Sequence, residues 1–173
     1  MNKSITHILI CCFGLVLCYS CAKQKPQLPS NKNHQQVDST LLKIMQLNQV
    51  LSEKSDGELT NHVLENNLNY VRHEDGFWYK MEIQTQHEKI KQKETVEIHY
   101  KLFLLNGKLC EDVKQTLTLG KKQTIKAIEG MLLEMRHGEK VRLLAPWYLA
   151  YGQAGHGNDI QPYEQIEIEL SVN

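Results

Sequence analysis

Apolar residues recur along the chain with two spacings, and the first spacing is helical. Between residues 38 and 67 they fall three or four positions apart, which predicts helix. The apolar positions are Leu41, Leu42, Met45, Leu47 and Leu51, followed by Leu59, Val63 and Leu64. Asp38, Ser39 and Thr40 supply an N-cap cluster, and Ser-Asp-Gly at residues 55–57 interrupts the pattern. We therefore expect two successive helices.

From Val71 the spacing of apolar residues changes to two, which is typical of half-buried strands. One strand is predicted at residues 77–83, after a turn at residues 75–76, and another at residues 95–105. The buried face of the second strand would carry Val96, Ile98, Tyr100 and Leu102. Asn106-Gly107 then favours a tight hairpin.

The hairpin turn predicts a return strand at residues 108–113, and residues 116–119 are predicted as a separate short strand. Helical spacing then returns in Ile125, Ile128, Leu132 and Met135, with a candidate C-cap at residues 137–138. Strands at residues 140–144 and 165–172 follow. The pattern predicts an α+β fold: a curved antiparallel sheet of five to six strands wrapped on one helix, preceded by an N-terminal helical extension.

Residues 145–161 fit neither period. Three glycines at positions 152, 155 and 157 surround one histidine, one aspartate and one isoleucine. Glycine allows a positive φ and a close approach of the backbone to a ligand. Tyr151, His156 and Ile160 could therefore line a shallow, mostly apolar pocket.

The first twenty residues have the character of a secretory signal. Lys3 precedes an apolar run at residues 5–17, which is shorter than the roughly twenty residues that a membrane span needs. Cys21 follows Ser20 as in the lipobox of bacterial lipoproteins, so Cys21 is the predicted lipidation site. An ordinary cleaved signal peptide is the alternative. Residues 21–37, polar and with two prolines, are predicted to be a tether.

Charge and cysteine content narrow the class of protein. Lys3 is the only charged residue among positions 1–20, so the remaining chain has 19 Lys and Arg against 20 Asp and Glu. This balance argues against a nucleic-acid surface. Cys110 is the only cysteine after Cys21, and burial as a small apolar residue is its simplest explanation. The sequence predicts a helical extension with a leading strand at residues 38–92 and one further domain at residues 93–173.

Six short motifs carry a family resemblance. They are E-T-V-E-I-H-Y at 94–100, N-G-K-L at 106–109, L-G-K-K-Q-T-I at 119–125, G-M-L-L-E-M at 130–135, G-E-K at 138–140, and Pro146 with A-Y-G at 150–152. In this order and spacing they resemble FKBP-type peptidyl-prolyl cis-trans isomerases. The helical segment before them is similar to the extension of exported, lipid-anchored members, including those associated with gliding motility.

The resemblance implies a set of site residues. The residues implied in catalysis are Tyr100, Glu111, Ile125 and Tyr151. Those implied in substrate binding are Cys110, Thr124, Ile128, His156, Ile160 and Ile168. Glu111 stands where the family usually has Asp, while Cys110, Gln115 and Ile168 stand where it usually has aromatic residues. The implied pocket is apolar but poor in aromatic surface.

The resemblance also implies a function. It implies isomerisation of proline-containing polypeptides during the folding of exported proteins. The implied activity uses no cofactor and no metal. The implied location is the periplasmic side of a bacterial envelope. A homodimer through the N-terminal helices is a further expectation. One alternative is a non-catalytic chaperone or a subunit of an envelope or motility complex. A remote alternative is an all-β ligand-binding lipoprotein, which would have no helix at residues 125–135.

Overall fold

The computed structural model describes residues 32–173. The predicted signal segment, Cys21 and most of the predicted tether therefore lie outside the described residues. The chain divides into two compact units, residues 1–42 and 43–173, and the contacts described below lie within the second. No helix in the described range is long and apolar enough to cross a membrane.

The N-terminal extension is one helix, α1 (Lys32–Glu65), and the prediction of two helices is wrong. It begins before the Asp38 N-cap cluster and continues through Gly57. Leu59 and Val63, which follow the expected break, are buried against Leu144 of the sheet. Burial of this turn outweighs the low helix propensity of a single glycine, about 1 kcal/mol relative to alanine.

Six antiparallel strands form one sheet, as the sequence predicts. Their spatial order is β1-β2-β5-β6-β3-β4. The strands are β1 (Val71–Arg72), β2 (Trp78–Ile83), β3 (Thr95–Leu104), β4 (Leu109–Thr118), β5 (Lys140–Ala145) and β6 (Ile166–Val172). The second helix, α2 (Lys126–Leu132), lies between β4 and β5 in the sequence. The predicted α+β fold is confirmed, and the helix at α2 excludes the all-β alternative.

The hairpin between β3 and β4 is confirmed, but its second strand is longer than predicted. Gly107 takes a φ of +84°, and its N–H donates to the carbonyl of Leu104 at 2.8 Å. Beyond Val113 the ladder continues without a gap, because Gln115 pairs with Ile98. The two predicted strands at 108–113 and 116–119 are therefore one strand.

Helix α2 is shorter than the apolar spacing predicts. It ends at Leu132, and Met135 lies beyond it, fully buried, with its carbonyl accepting the Ile90 N–H at 3.0 Å. The predicted C-cap at Gly138 is wrong: this glycine, with a φ of +78°, lies in the turn before β5 and donates to the carbonyl of Val172. The Met135 N–H still donates to the carbonyl of Met131 at 3.1 Å, whereas the Met135 carbonyl bonds to the segment before β3.

Strand β5 is covered on both faces. Leu143 belongs to the main core with Ile128 and Leu132 of α2, whereas its neighbour Leu144 packs against Leu59 of α1. Successive side chains of a strand point to opposite faces, so α1 and α2 lie on opposite sides of the sheet. The helical extension is thus part of the folded domain from about Ser55 onward, where side chains become buried.

Three polar contacts also tie α1 to the segment that follows β5. The Trp147 indole donates to the carbonyl of Leu51 at 3.3 Å, and the Tyr148 hydroxyl donates to Asp56 at 2.6 Å. The Gln153 amide donates to the side-chain oxygen of Asn48 at 2.8 Å. This segment, which includes the 3-10 turn Trp147–Leu149, leads directly into the glycine loop.

Candidate functional site

A cavity of about 560 Å³ opens beside the N-terminus of α2. Its walls come from β3, β4, the loop before α2 and the glycine loop. The lining residues are Tyr100, Glu111, Lys122, Gln123, Thr124, Ile125, Lys126, Glu129, Ala150, Tyr151 and His156. Six of the ten residues predicted for the site lie in this lining, although they are spread over more than fifty positions of sequence.

Glu111 joins two side chains of the glycine-loop wall. Its carboxylate contacts His156 Nε2 at 2.7 Å and accepts a hydrogen bond from the Tyr151 hydroxyl at 3.4 Å. The rings of Tyr151 and His156 stack with centroids 4.4 Å apart and an interplanar angle of 12°. Glu111 therefore fixes the position of an aromatic wall, and the longer stem of Glu relative to Asp reaches both partners.

The glycine loop depends on backbone geometry that only glycine adopts freely. His156 and Ile160 exchange two backbone hydrogen bonds, of 2.8 and 3.1 Å. Gly155 precedes this bridge with a φ of +67°, and a Cβ there would clash with the carbonyl oxygen of Ile160 and lie 2.9 Å from the carbonyl carbon of Gln161. A salt bridge of 2.6 Å between Lys108 and Asp159 ties the loop to the β3–β4 hairpin.

Both tyrosines of the cavity remain neutral over the physiological pH range. Burial, with a smaller contribution from the Glu111 carboxylate, raises the pKa of Tyr151 far above its ordinary value. The same two causes raise the pKa of Tyr100. Each phenol is therefore an apolar surface with one hydrogen-bond donor, and neither can act as a base.

Ile125 is the N-cap residue of α2. Its backbone is extended, with φ −67° and ψ 153°, and no side chain caps the helix. Among residues 32–173, no acceptor takes a hydrogen bond from its backbone N–H. Since Ile125 lines the cavity, this N–H is a donor available to a ligand. Thr124 precedes it in the lining.

Four of the predicted substrate-binding residues do not line the cavity. Ile128 and Ile168 are fully buried, and Ile160 is nearly so; all three belong to the main hydrophobic core. Cys110 packs against that core from a half-buried position, and burial is the first cause that raises the pKa of its thiol. That these four residues contact substrate stays a prediction.

Five lining residues were missed by the sequence analysis: Lys122, Gln123, Lys126, Glu129 and Ala150. A signal for two of them was present. Glu129 follows Ile125 by four positions, and residues four apart share a helix face. Ala150 precedes Tyr151 directly.

No cluster of three or more His, Cys, Asp or Glu side chains that could hold a metal occurs within the described residues.

The sequence pattern of one protein family covers this region. The family described as FKBP-type peptidyl-prolyl cis-trans isomerase matches residues 86–173, about half of the chain. The chain belongs to this family. Its match begins before β3 and includes every cavity-lining residue.

Curated relatives agree with this assignment. Peptidyl-prolyl cis-trans isomerase FKBP11 of Bos taurus is 33% identical over 84 residues, which are 46% of this chain and 41% of the relative. The macrophage infectivity potentiator of Trypanosoma cruzi is 32% identical over 79 residues, 44% of this chain and 40% of the relative. The matched region thus spans about two fifths of the length of each relative.

Solved structures share the fold. The crystal structure of AtFKBP13 has a TM-score of 0.56 at 21% identity and covers 60% of this chain and 95% of that one. A peptidyl-prolyl cis-trans isomerase from Pseudomonas syringae pv. tomato has a TM-score of 0.58 at 22% identity and covers 70% and 92%. At these identities the likeness concerns the fold alone.

Proposed function

We propose that this FKBP-family protein is a peptidyl-prolyl cis-trans isomerase that assists the folding of exported polypeptides from a lipid-anchored position. The observation that carries the proposal is the cavity: Tyr100, Ile125 and Tyr151 converge on one space beside a free backbone N–H, within the region that matches the family.

A cavity of this kind has the chemistry that prolyl isomerisation needs. Rotation about an Xaa–Pro bond has a barrier of about 18–20 kcal/mol and takes tens to hundreds of seconds without catalysis. In the twisted transition state the amide loses resonance, so its charge separation decreases. Apolar walls therefore disfavour the planar amide relative to the twisted one, and no nucleophile, metal or proton transfer is required.

Four residues receive roles in this proposal. The Ile125 N–H donates to the substrate carbonyl, which is held while the prolyl nitrogen turns. Tyr100 and Tyr151 border the proline ring, and their neutral hydroxyls add no charge to the site. Glu111 acts through Tyr151 and His156, whose positions it fixes, so it is a positioning residue.

The location and partners belong to the same proposal. The apolar run at residues 5–17 and the Ser20-Cys21 pair support export followed by lipidation of Cys21, with the domain facing the periplasm of a bacterial envelope. Cys21→Ala abolishes the attached lipid mass in this proposal, and intact-protein mass spectrometry measures it. Exposed apolar residues of α1, among them Ile44, Leu47 and Val50, support pairing with a second copy, which sedimentation equilibrium of the full-length chain in detergent tests.

Acceleration of prolyl exchange tests the activity. Exchange NMR on a short Xaa-Pro peptide, with catalytic amounts of the full-length chain in mild detergent, should show faster cis-trans interconversion than buffer alone. Tyr151→Ala should lower kcat/KM by about ten- to a hundredfold, because burial of a large apolar side chain is worth about 1.5–3 kcal/mol. Tyr163→Ala is the matched control, since Tyr163 is exposed and lies outside the cavity lining. Exchange no faster than in buffer, with the protein folded by circular dichroism, would refute the enzymatic proposal.

A second candidate is a non-catalytic binding module, acting as a chaperone or as a subunit of an envelope or motility complex. Cys110, Gln115 and Ile168 favour it, because they stand where the family usually has aromatic residues. Binding of a labelled prolyl peptide to the full-length chain, together with unchanged exchange rates, would support this candidate over the first.

A further inference from the structure

Two lysines without a carboxylate partner form part of the cavity lining. Lys122 and Lys126 are both exposed, and both border the cavity. Within residues 39–173, no carboxylate oxygen lies within 4.0 Å of either ammonium group. Most lysines on the sheet and hairpin differ in this respect: Lys108, for example, pairs with Asp159 at 2.6 Å.

The carboxylates of the same cavity are engaged elsewhere. Glu111 contacts His156 and Tyr151 on the opposite wall. Glu129 accepts a hydrogen bond of 2.7 Å from the backbone N–H of Gly120. The cavity therefore has two unpaired cations, while both of its anions already have partners.

Further lysines extend this cationic surface beyond the cavity. Lys121 is exposed and adjoins Lys122. Lys93 is exposed and reaches the same region through a backbone hydrogen bond of 3.2 Å to the carbonyl of Leu119. Neither is in an ion pair within the described residues. Positive charge is thus concentrated on the side of the cavity formed by residues 119–126.

We propose that Lys122 and Lys126 select prolyl peptides that carry an acidic side chain close to the proline. The inference rests on the proposed function, since it names a substrate class for the same cavity. A carboxylate on the residue next to a proline held by Ile125 and Tyr151 would meet the two ammonium groups. The concave position of the lysines, beside those two residues, favours a peptide over a flat membrane surface.

Matched peptides test the selection. Three peptides that differ only in the residue before proline, Glu, Gln or Lys, are compared by exchange NMR with the full-length chain, and a second set varies the residue after proline. At low salt, we expect kcat/KM for the Glu peptide to exceed that for the Gln peptide by about three- to tenfold in at least one of the two sets. This factor is the range that two exposed ion pairs contribute. The Lys peptide should be the poorest substrate, and added salt should reduce the differences.

Charge-neutral variants identify the lysines responsible. In the double variant Lys122→Gln/Lys126→Gln the Glu-to-Gln ratio should fall to about one, since both proposed ion pairs are lost. The matched control is Lys80→Gln/Lys114→Gln, which removes two exposed lysines outside the cavity lining and should leave the ratio unchanged.

Fluorescence anisotropy with labelled Glu and Gln peptides measures the Kd of each peptide, so the selection can be tested even if the protein does not catalyse isomerisation. If no peptide is isomerised faster than in buffer, the proposed function fails, while a tighter Kd for the Glu peptide that depends on the two lysines would still support the selection. Equal Kd values, or no binding of either peptide, would overturn it. The proposal would also be overturned if the double variant lost binding to vesicles with anionic lipids while its Glu-to-Gln peptide ratio stayed unchanged. That result would assign the two lysines to a membrane surface.

Discussion

At the scale of single residues, Gly155 and Gly152 show how the loop beside the cavity is built. Both have positive φ, +67° and +68°. A Cβ on Gly152 would have no heavy atom within 4 Å, whereas a Cβ on Gly155 would meet the backbone of Ile160 and Gln161. Gly152 is thus required for its dihedral angle alone, while Gly155 is required for both angle and space. The two-way bridge between His156 and Ile160 depends on that space.

Gly155→Ala should destabilise the protein more than Gly152→Ala. In both variants an alanine must adopt a left-handed backbone conformation, which lowers the free energy of unfolding by roughly 1–2 kcal/mol. Only Gly155→Ala adds a backbone clash, so its free energy of unfolding should fall by about 1–3 kcal/mol beyond that. Urea unfolding of both variants measures the difference. Equal midpoints would show that the loop relaxes around the added methyl group.

Residue-level prediction from sequence succeeded where the chemistry is local or the motif is specific. Asn106-Gly107 determines its own turn, so the hairpin followed from two residues. Tyr100, Ile125 and Tyr151 were placed together by the resemblance, and they do share a cavity. The contact between Glu111 and His156 depends on the folded path of the glycine loop. No sequence spacing encodes that path, and so the contact was not predicted.

At the scale of elements, α1 divides into two parts with different roles. Leu59 and Val63 are buried on the sheet, whereas Ile44, Leu47 and Val50 are about half exposed or more. Apolar spacing alone does not separate these parts, because both contain leucine and valine at helical intervals. The same limit explains Met135, which has helical spacing from Leu132 yet lies beyond α2. Periodicity identifies apolar faces, and the partner surface decides where a helix ends.

Leu59→Ala and Leu64→Ala form a matched pair on α1. Leu59 is fully buried, and truncation of a buried leucine costs about 2–5 kcal/mol in free energy of unfolding. Leu64 is 65% exposed, and a surface substitution typically changes that free energy by less than about 0.5 kcal/mol. Chemical denaturation of both variants at one protein concentration gives the comparison. A small effect at Leu59 would mean that α1 is a separable appendage.

At the scale of the whole molecule, one histidine links the two ends of the domain. His137 contacts Glu94 at 2.8 Å through Nε2, and Nδ1 contacts the carbonyl of Asn173 at 2.8 Å. The hydrogen bond to Asn173 and then that to Glu94 raise the pKa of His137 above its ordinary value of 6.5. The pKa of Glu94 is lowered from 4.5, first by the Lys91 N–H and then by His137. The segment before β3 and the end of β6 thus meet at a titrating pair.

The pair predicts a stability difference that depends on pH. A raised pKa of His137 contributes stability that is fully present below pH 6.5 and is lost as the pH rises through the folded-state pKa. The lowered pKa of Glu94 contributes stability above pH 4.5, lost as the pH falls through its folded-state pKa. The free energy of unfolding of the wild type should therefore exceed that of His137→Gln by the largest amount between pH 4.5 and pH 6.5. This difference should shrink toward alkaline pH.

Thermal unfolding at several pH values measures this difference. His62→Gln is the control, because within the described part of the chain His62 contacts Asn66 and pairs with no carboxylate. Its difference from wild type should vary little over the same range. A His137→Gln difference that is equally large at pH 6 and pH 9 would contradict the prediction.

The three contacts between α1 and the segment after β5 give that helix a mechanical role. Asn48, Leu51 and Asp56 hold Gln153, Trp147 and Tyr148, and these residues flank Tyr151 on both sides. A displacement of residues 48–56 of α1 would therefore move that wall, because the three hydrogen bonds connect the helix to it directly.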